Sequence, residues 1–240
     1  MIKVGCCGWG YYKTSDASKT KSILQAYCLN YECIEVNYTF YKIPKLSTVS
    51  RWRKEADEIN KNFEFIVKCP RVITHLEQFS HSSVQIFENV KDICYSLRST
   101  TVVFQTPPSF GPSEKNISKM KNFFEKIERD KLTLVWEPRG EWLTQVEKVK
   151  HLCDSLNLIE CTDLFRKKPM SFSDEKIAYL RLHGLGKESP YQYKFTSDDL
   201  KWLAERVGEI NKIVDKIFVM FNNFAMYEDA IEFKKVLGLD

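Results

Sequence analysis

Ile34-Glu35-Val36-Asn37 sets a pattern that the rest of the chain repeats: a short apolar run that ends in polar or charged residues. Further copies stand at Phe65-Ile66-Val67-Lys68, Val102-Val103-Phe104-Gln105, Leu134-Val135-Trp136-Glu137, Leu180-Arg181-Leu182-His183 and Val219-Met220-Phe221-Asn222. Between most of them the apolar residues recur at three and four spacing, as Leu200, Leu203, Val207, Ile210 and Val214 do. That is the period of an amphipathic helix. Strands that alternate with helices and carry polar groups at their carboxyl ends read as a parallel βα barrel with its functional groups at one mouth.

Working outward from these runs, eight strands are expected at residues 2–7, 33–37, 63–68, 101–105, 132–137, 157–161, 177–183 and 216–222. Helices are expected at 17–30, 48–60, 84–97, 114–129, 142–156, 197–214 and 225–237, with Ser197, Asp198 and Asp199 marking one helix start. The segment 162–176 holds Pro169 and little periodicity, so the helix after the sixth strand is expected to be reduced or replaced by a loop. No Gly/Ser/Pro-rich linker, low-complexity segment or close repeat divides the chain. The fold class is therefore α/β, a single (β/α)8 TIM-type barrel over residues 1–240, with an open doubly wound sheet as the alternative. The length of 240 residues fits one such barrel, which needs about 250.

Composition narrows the function classes. Hydrophobic content of 43% supports a sizeable core, and no apolar run reaches the ~18 residues of a membrane span. The first residues enter a strand-like run without the apolar core of a secretory signal, so a cytoplasmic location is expected and no membrane partner. The net charge of +4 comes from 36 basic and 32 acidic residues that are interspersed. It admits an anionic partner and does not favour a dedicated nucleic-acid binder. Eight cysteines include no CxxC pair, and most fall on strands or apolar helix positions, where a buried thiol acts as a small hydrophobe.

Side-chain phase selects the candidate site, because alternate residues of a strand face opposite sides. Ile34 and Val36 face the helices, so Glu35 and Asn37 face the axis. By the same reasoning Lys68, Gln105, Glu137, Arg139, Arg181, His183 and Asn222 converge on the mouth. Arg71 and His75 follow the third strand in a long loop, of the kind that covers sites. Glu35, Glu137 and His183 are the candidate catalytic groups, with a glutamate as general base and His183 as the acid. Lys68, Arg71, Arg139 and Arg181 form a basic set, and the arginine forks suit phosphate and carboxylate oxygens. The competing reading is an ion-pair lattice in which the cations only neutralise Glu35, Glu137 and Asp163. Trp9 and Tyr41 are the candidate aromatic walls.

Other chemistries find less support. Gly5-Cys6-Cys7-Gly8-Trp9-Gly10 runs GxxGxG rather than GxGxxG, and a Tyr-Tyr-Lys-Thr-Ser stretch delays the helix, so a dinucleotide loop is not expected. Cys69 points toward the helices by phase, whereas Cys7 lies nearer the mouth. No cofactor is required by the sequence, although Glu35, Glu137 or Asp163 would suit a divalent metal.

These blocks together resemble the YecE-like family, known as domain of unknown function 72, over nearly the whole chain. The resemblance rests on Gly5 to Tyr11, Ile34 to Pro44, Phe65 to His75, Gln105-Thr106-Pro107-Pro108, Glu137-Pro138-Arg139, Tyr179 to Gly184 and Phe221-Asn222-Asn223. It implies a TIM-type barrel and no established reaction. The chain departs from the family at Cys6-Cys7, where Thr-Ser is usual, and at Tyr38, where a small residue is usual. Gly140 and Glu141 also replace a His-Ser element that precedes the tryptophan matched by Trp142. The reading that follows is a hydrolase-like enzyme for a phosphorylated or otherwise anionic small molecule. The alternatives are a non-catalytic nucleotide or nucleic-acid module in the same basic mouth, and a glycosidase using the paired glutamates.

Overall fold

The computed structural model describes residues 1–13, 20–186 and 189–239. Eight strands run parallel: β1 (Ile2–Cys6), β2 (Cys33–Val36), β3 (Glu64–Lys68), β4 (Thr101–Gln105), β5 (Thr133–Glu137), β6 (Ile159–Thr162), β7 (Ile177–Leu182) and β8 (Lys216–Phe221). They pair in chain order, and β8 returns to β1 from Ile2↔Ile217 to Cys6↔Phe221, which closes the barrel. The open-sheet alternative is thereby removed.

Alternation along the strands creates two nested apolar layers. Ile34, Val36, Phe65, Val67, Leu134, Trp136, Leu180 and Leu182 point outward into the core shared with the helices. Cys33, Ile66, Val103, Val135, Ile159, Tyr179, Phe218 and Met220 point inward and fill the lumen. The lumen is thus a packed plug, and only the residues one pleat further toward the carboxyl ends can meet a ligand.

Helices follow the strands, all but the short α2 on the outside: α1 (Ile23–Cys28), α2 (Tyr38–Tyr41), α3 (Leu46–Asp57), α4 (His81–Leu97), α5 (Glu114–Lys126), α6 (Val146–Ser155), α7 (Ser197–Ile210) and α8 (Met226–Leu237). Their ends follow local chemistry. Thr196 and Asp199 form a capping box at the start of α7, and Gly238 ends α8 in the left-handed conformation. The expected start of the first helix at residues 17–19 lies outside the described residues. No helix stands between β6 and β7; Phe172 instead bridges back antiparallel to Ile159.

Short elements at the mouth escape a period-based reading, among them a 3-10 turn (Pro190–Gln192) after β7. α2 turns immediately after β2. A π-helical turn (Val72–Leu76) follows β3 and carries His75. A 3-10 turn (Gly140–Thr144) follows β5. Gly140 has φ +64°, and a Cβ there would lie 2.6 Å from the Pro108 carbonyl oxygen. The Pro107-Pro108 loop therefore excludes a side chain at this departure from the family pattern. Among the described residues no helix is long and apolar enough to cross a membrane.

Candidate functional site

The strand ends deliver a chain of buried charges. Arg181, only 1% exposed, lies between the two glutamates. Its Nη2 donates to Glu35 Oε1 at 3.0 Å and its Nη1 to Glu137 Oε2 at 2.5 Å. Tyr179 OH donates to the other oxygen of Glu35 at 2.8 Å. Glu137 also accepts from Gln105 Nε2 at 2.8 Å and from Arg139 Nη2 at 2.5 Å. Burial alone would raise the pKa of Glu137, but the Arg181 and Arg139 guanidiniums outweigh it and hold the carboxyl well below the usual range.

The chain continues through His183. Arg139 Nη2 stands 2.8 Å from His183 Nε2, and a guanidinium can only donate. Nε2 is therefore the acceptor, and Nδ1 carries the proton toward Asp163 Oδ2 at 3.3 Å. Asp163 Oδ2 also accepts the His183 backbone N–H at 3.1 Å. Burial lowers the imidazole pKa despite the neighbouring carboxylates, which agrees with this neutral tautomer. Glu137, Arg139, Asp163 and His183 line a cavity of about 200 Å³ together with Arg166 and Lys167.

A second pole lies at the end of β3. Lys68 is 7% exposed, and its ammonium sits 4.4 Å above the Phe40 ring. Among the described residues it makes no hydrogen bond or ion pair. Burial pushes its pKa down, and Arg181 adds to this against the pull of Glu35 and Glu137, leaving it at about 8. His75 packs edge-on against the same Phe40 ring at 5.0 Å, with Nδ1 2.8 Å from Thr74 Oγ1. Burial, Lys68 and Arg71 lower its pKa. Thr39 Oγ1 lies 2.6 Å from both the Val36 and Lys68 carbonyl oxygens and ties α2 to the two strand ends. Arg71 is exposed at the start of the π-helical turn.

Several expected roles change in this geometry. Arg181 is turned to Glu35 and Glu137 and is 1% exposed, with its Nε sealed without a partner, so its fork faces the two carboxylates rather than the open mouth. Glu137 accepts from Arg181, Arg139 and the neutral Gln105 amide and is a poor base. His183 presents Nε2 as an acceptor to the Arg139 guanidinium, and the proton it carries on Nδ1 points to Asp163. Trp9 spends its ring edge-on against Trp52 at 5.3 Å, while Tyr41 is 74% exposed against Phe40. The aromatic beneath the free cation is Phe40. Gln105, Asn37 and Asn222 are half-buried at their strand ends.

Phase could have found Tyr179, which the sequence reading passes over, and could have placed Asp163, which it weighs only as a counter-ion or metal carboxylate. Tyr179 precedes Arg181 by two positions, and Asp163 follows Cys161 by two, so each shares the inward phase of its neighbour. Phe40 gives no such signal, because it lies on α2. Cys7 borders the same cluster, and burial followed by Glu35 pushes its thiol up to about 12, so it stays protonated. Among the described residues no group of three or more His, Cys, Asp and Glu is arranged to hold a metal ion. Glu35 and Glu137 turn their oxygens to Arg181 instead.

Comparison with known proteins places the architecture. YunF of Bacillus subtilis is 23% identical over 272 aligned positions that cover 100% of this chain and 94% of the relative. A DUF72 family protein of Thermotoga maritima superposes with a TM-score of 0.78 at 22% identity, covering 99% of each chain. A D-psicose 3-epimerase shares the fold more distantly, with a TM-score of 0.56 at 13% identity over 98% of this chain and 99% of the other. The model of the family described as "Protein of unknown function DUF72" matches residues 3–239, and the chain belongs to that family.

Proposed function

We propose that the mouth of the barrel is the site of an enzyme acting on a phosphorylated or otherwise anionic small molecule. The observation that carries this reading is Lys68. It is a cation more than nine-tenths buried, beside a mouth whose other buried charges are paired, and it has no anion of its own. A buried charge without a partner costs several kcal/mol unless a ligand supplies the counter-charge. Arg71 adds an exposed guanidinium on the adjacent turn, suited to phosphate oxygens.

The support for an enzyme rather than a passive binder is the pKa of about 8 at Lys68, which lets it gain and lose a proton near neutrality. This moves the chemistry from the glutamate pair to the lysine. A glycosidase needs a protonated carboxylic acid, which Glu137 does not provide. The fold resemblance to a sugar epimerase is compatible with a small polar substrate and carries no more than that.

Titration with inorganic phosphate, followed by 31P NMR at fixed ionic strength, tests the reading. Wild type should bind, Lys68→Met should weaken binding by roughly tenfold or more, and Arg71→Ala by about fivefold. Equal affinity in all three proteins would refute it. A steep loss of affinity for a mixed oligonucleotide with salt, with no phosphate binding, would favour the nucleic-acid module instead.

A further inference from the structure

Among the described residues two lysines are buried to a similar degree, and they are treated differently. Lys234 is 9% exposed and donates to the Asn30 carbonyl at 2.9 Å, with Glu32 at 3.7 Å. Lys68 is 7% exposed and has neither kind of partner among the described residues. Its nitrogen lies over an aromatic face, and it is absent from the polar atoms that are both sealed and unpartnered, so the mouth retains access to it. An anchoring lysine needs its acceptors. A lysine held without them, in a rigid wall, has its nitrogen lone pair free whenever the proton leaves.

We infer that Lys68 is a nucleophile that condenses with the carbonyl group of a small phosphorylated aldehyde or ketone to form an imine. This rests on the anion-binding reading above and names the substrate class for it. The Nζ lone pair attacks the carbonyl carbon, and the π pair of the C=O bond moves to oxygen, which takes up a proton. The nitrogen of the resulting carbinolamine loses a proton. Its lone pair then forms the C=N bond as the C–O bond breaks, the hydroxyl leaves as one water by taking a second proton from solvent, and the iminium nitrogen returns a proton to solvent to give the imine. The balance is carbonyl plus amine to imine plus water, with no oxidant or reductant. Arg71 holds the phosphate. His75, neutral and packed on the same Phe40 ring, relays the proton from nitrogen to the departing oxygen.

The neutral amine is favoured by burial and by Arg181, and opposed by Glu35 and Glu137 across the lumen. Cys7 is protonated and Arg71 is cationic, so neither adds a negative charge. The rate of imine formation should therefore rise with pH up to a midpoint near 8 and then level.

The test is reductive trapping with dihydroxyacetone phosphate and sodium borohydride, read by peptide mass mapping. Wild type should be labelled on Lys68, on the order of tenfold faster than on exposed lysines, and inorganic phosphate should suppress that label. Lys68→Arg keeps the charge but has no nucleophilic amine, so it should lose the label. Label spread over surface lysines with Lys68 unmodified, in wild type that binds phosphate, would overturn the imine and leave the anion site standing. Absence of phosphate binding in wild type would overturn the reading beneath it.

Discussion

The two sides of the barrel mouth carry the same kinds of residue and do different things with them. At the ends of β2, β5, β6 and β7, Glu35, Arg181, Glu137, Arg139, His183 and Asp163 are linked in one continuous series of ion pairs and hydrogen bonds. On the β3 side, Lys68 and Arg71 have no carboxylate partner among the described residues. The first side resembles an active site in its composition, yet its carboxylates and its imidazole are turned to partners within the series. The second has fewer charges and keeps one of them available. A charged mouth is therefore informative only after each charge has been matched to its partners, because pairing removes a group from chemistry as effectively as distance does.

The sharpest way to break this contrast is Arg181→Met. It leaves Glu35 and Glu137 facing each other in a site closed to water, so a loss on the order of 5 kcal/mol is expected in urea unfolding. A loss below about 1 kcal/mol would mean that the ion-pair side is not structural. The acid limb follows the same logic. The Glu137 pKa is depressed in the folded chain relative to the ordinary 4.5, so the stability it contributes is present above that value and lost as pH falls through the folded pKa.

Glu35→Gln is the next largest change. It removes one of two carboxylates on Arg181 and retains the shape, with an expected loss of about 3 kcal/mol in thermal or urea unfolding. Unchanged stability would return Glu35 to the catalytic role that its strand position first indicated.

Lys68→Met should act in the opposite direction and by less. The folded pKa of about 8 lies below the 10.5 of an ordinary lysine. Below pH 8 both states hold the proton, and the folded chain bears the cost of burying it. Between pH 8 and 10.5 the folded chain releases the proton while the unfolded chain keeps it, so stability rises with pH. Lys68→Met should flatten this rise and add roughly 2 kcal/mol near pH 7. A destabilised variant would show that Lys68 is a counter-ion for Glu35 and Glu137, and the difference between the two sides would vanish.

Much of the fold was legible because it is written in periods. The eight strands were placed within two residues at each end, since an outward apolar residue at every second position is what a packed helix layer demands. The helix missing after β6 was legible from Pro169 and the lack of a three-four pattern. α2 and the π-helical turn were not, because four or five residues are too few to display a period. Phe40 and the Thr39 bridge went unseen with them.

The sequence by itself determined which side chains face the axis at the carboxyl ends of the strands, because strand phase is a local property fixed by the apolar neighbours. It could not determine which of those groups are occupied. Arg181 and Lys68 read alike as inward cations, on strands separated by more than a hundred residues. Closure of the barrel placed Arg181 between Glu35 and Glu137 and left Lys68 above Phe40 without an anion. Partnership between strands depends on register, barrel curvature and the turns at the mouth, none of which is a property of one segment, and so the tertiary structure alone decided which cation remained free.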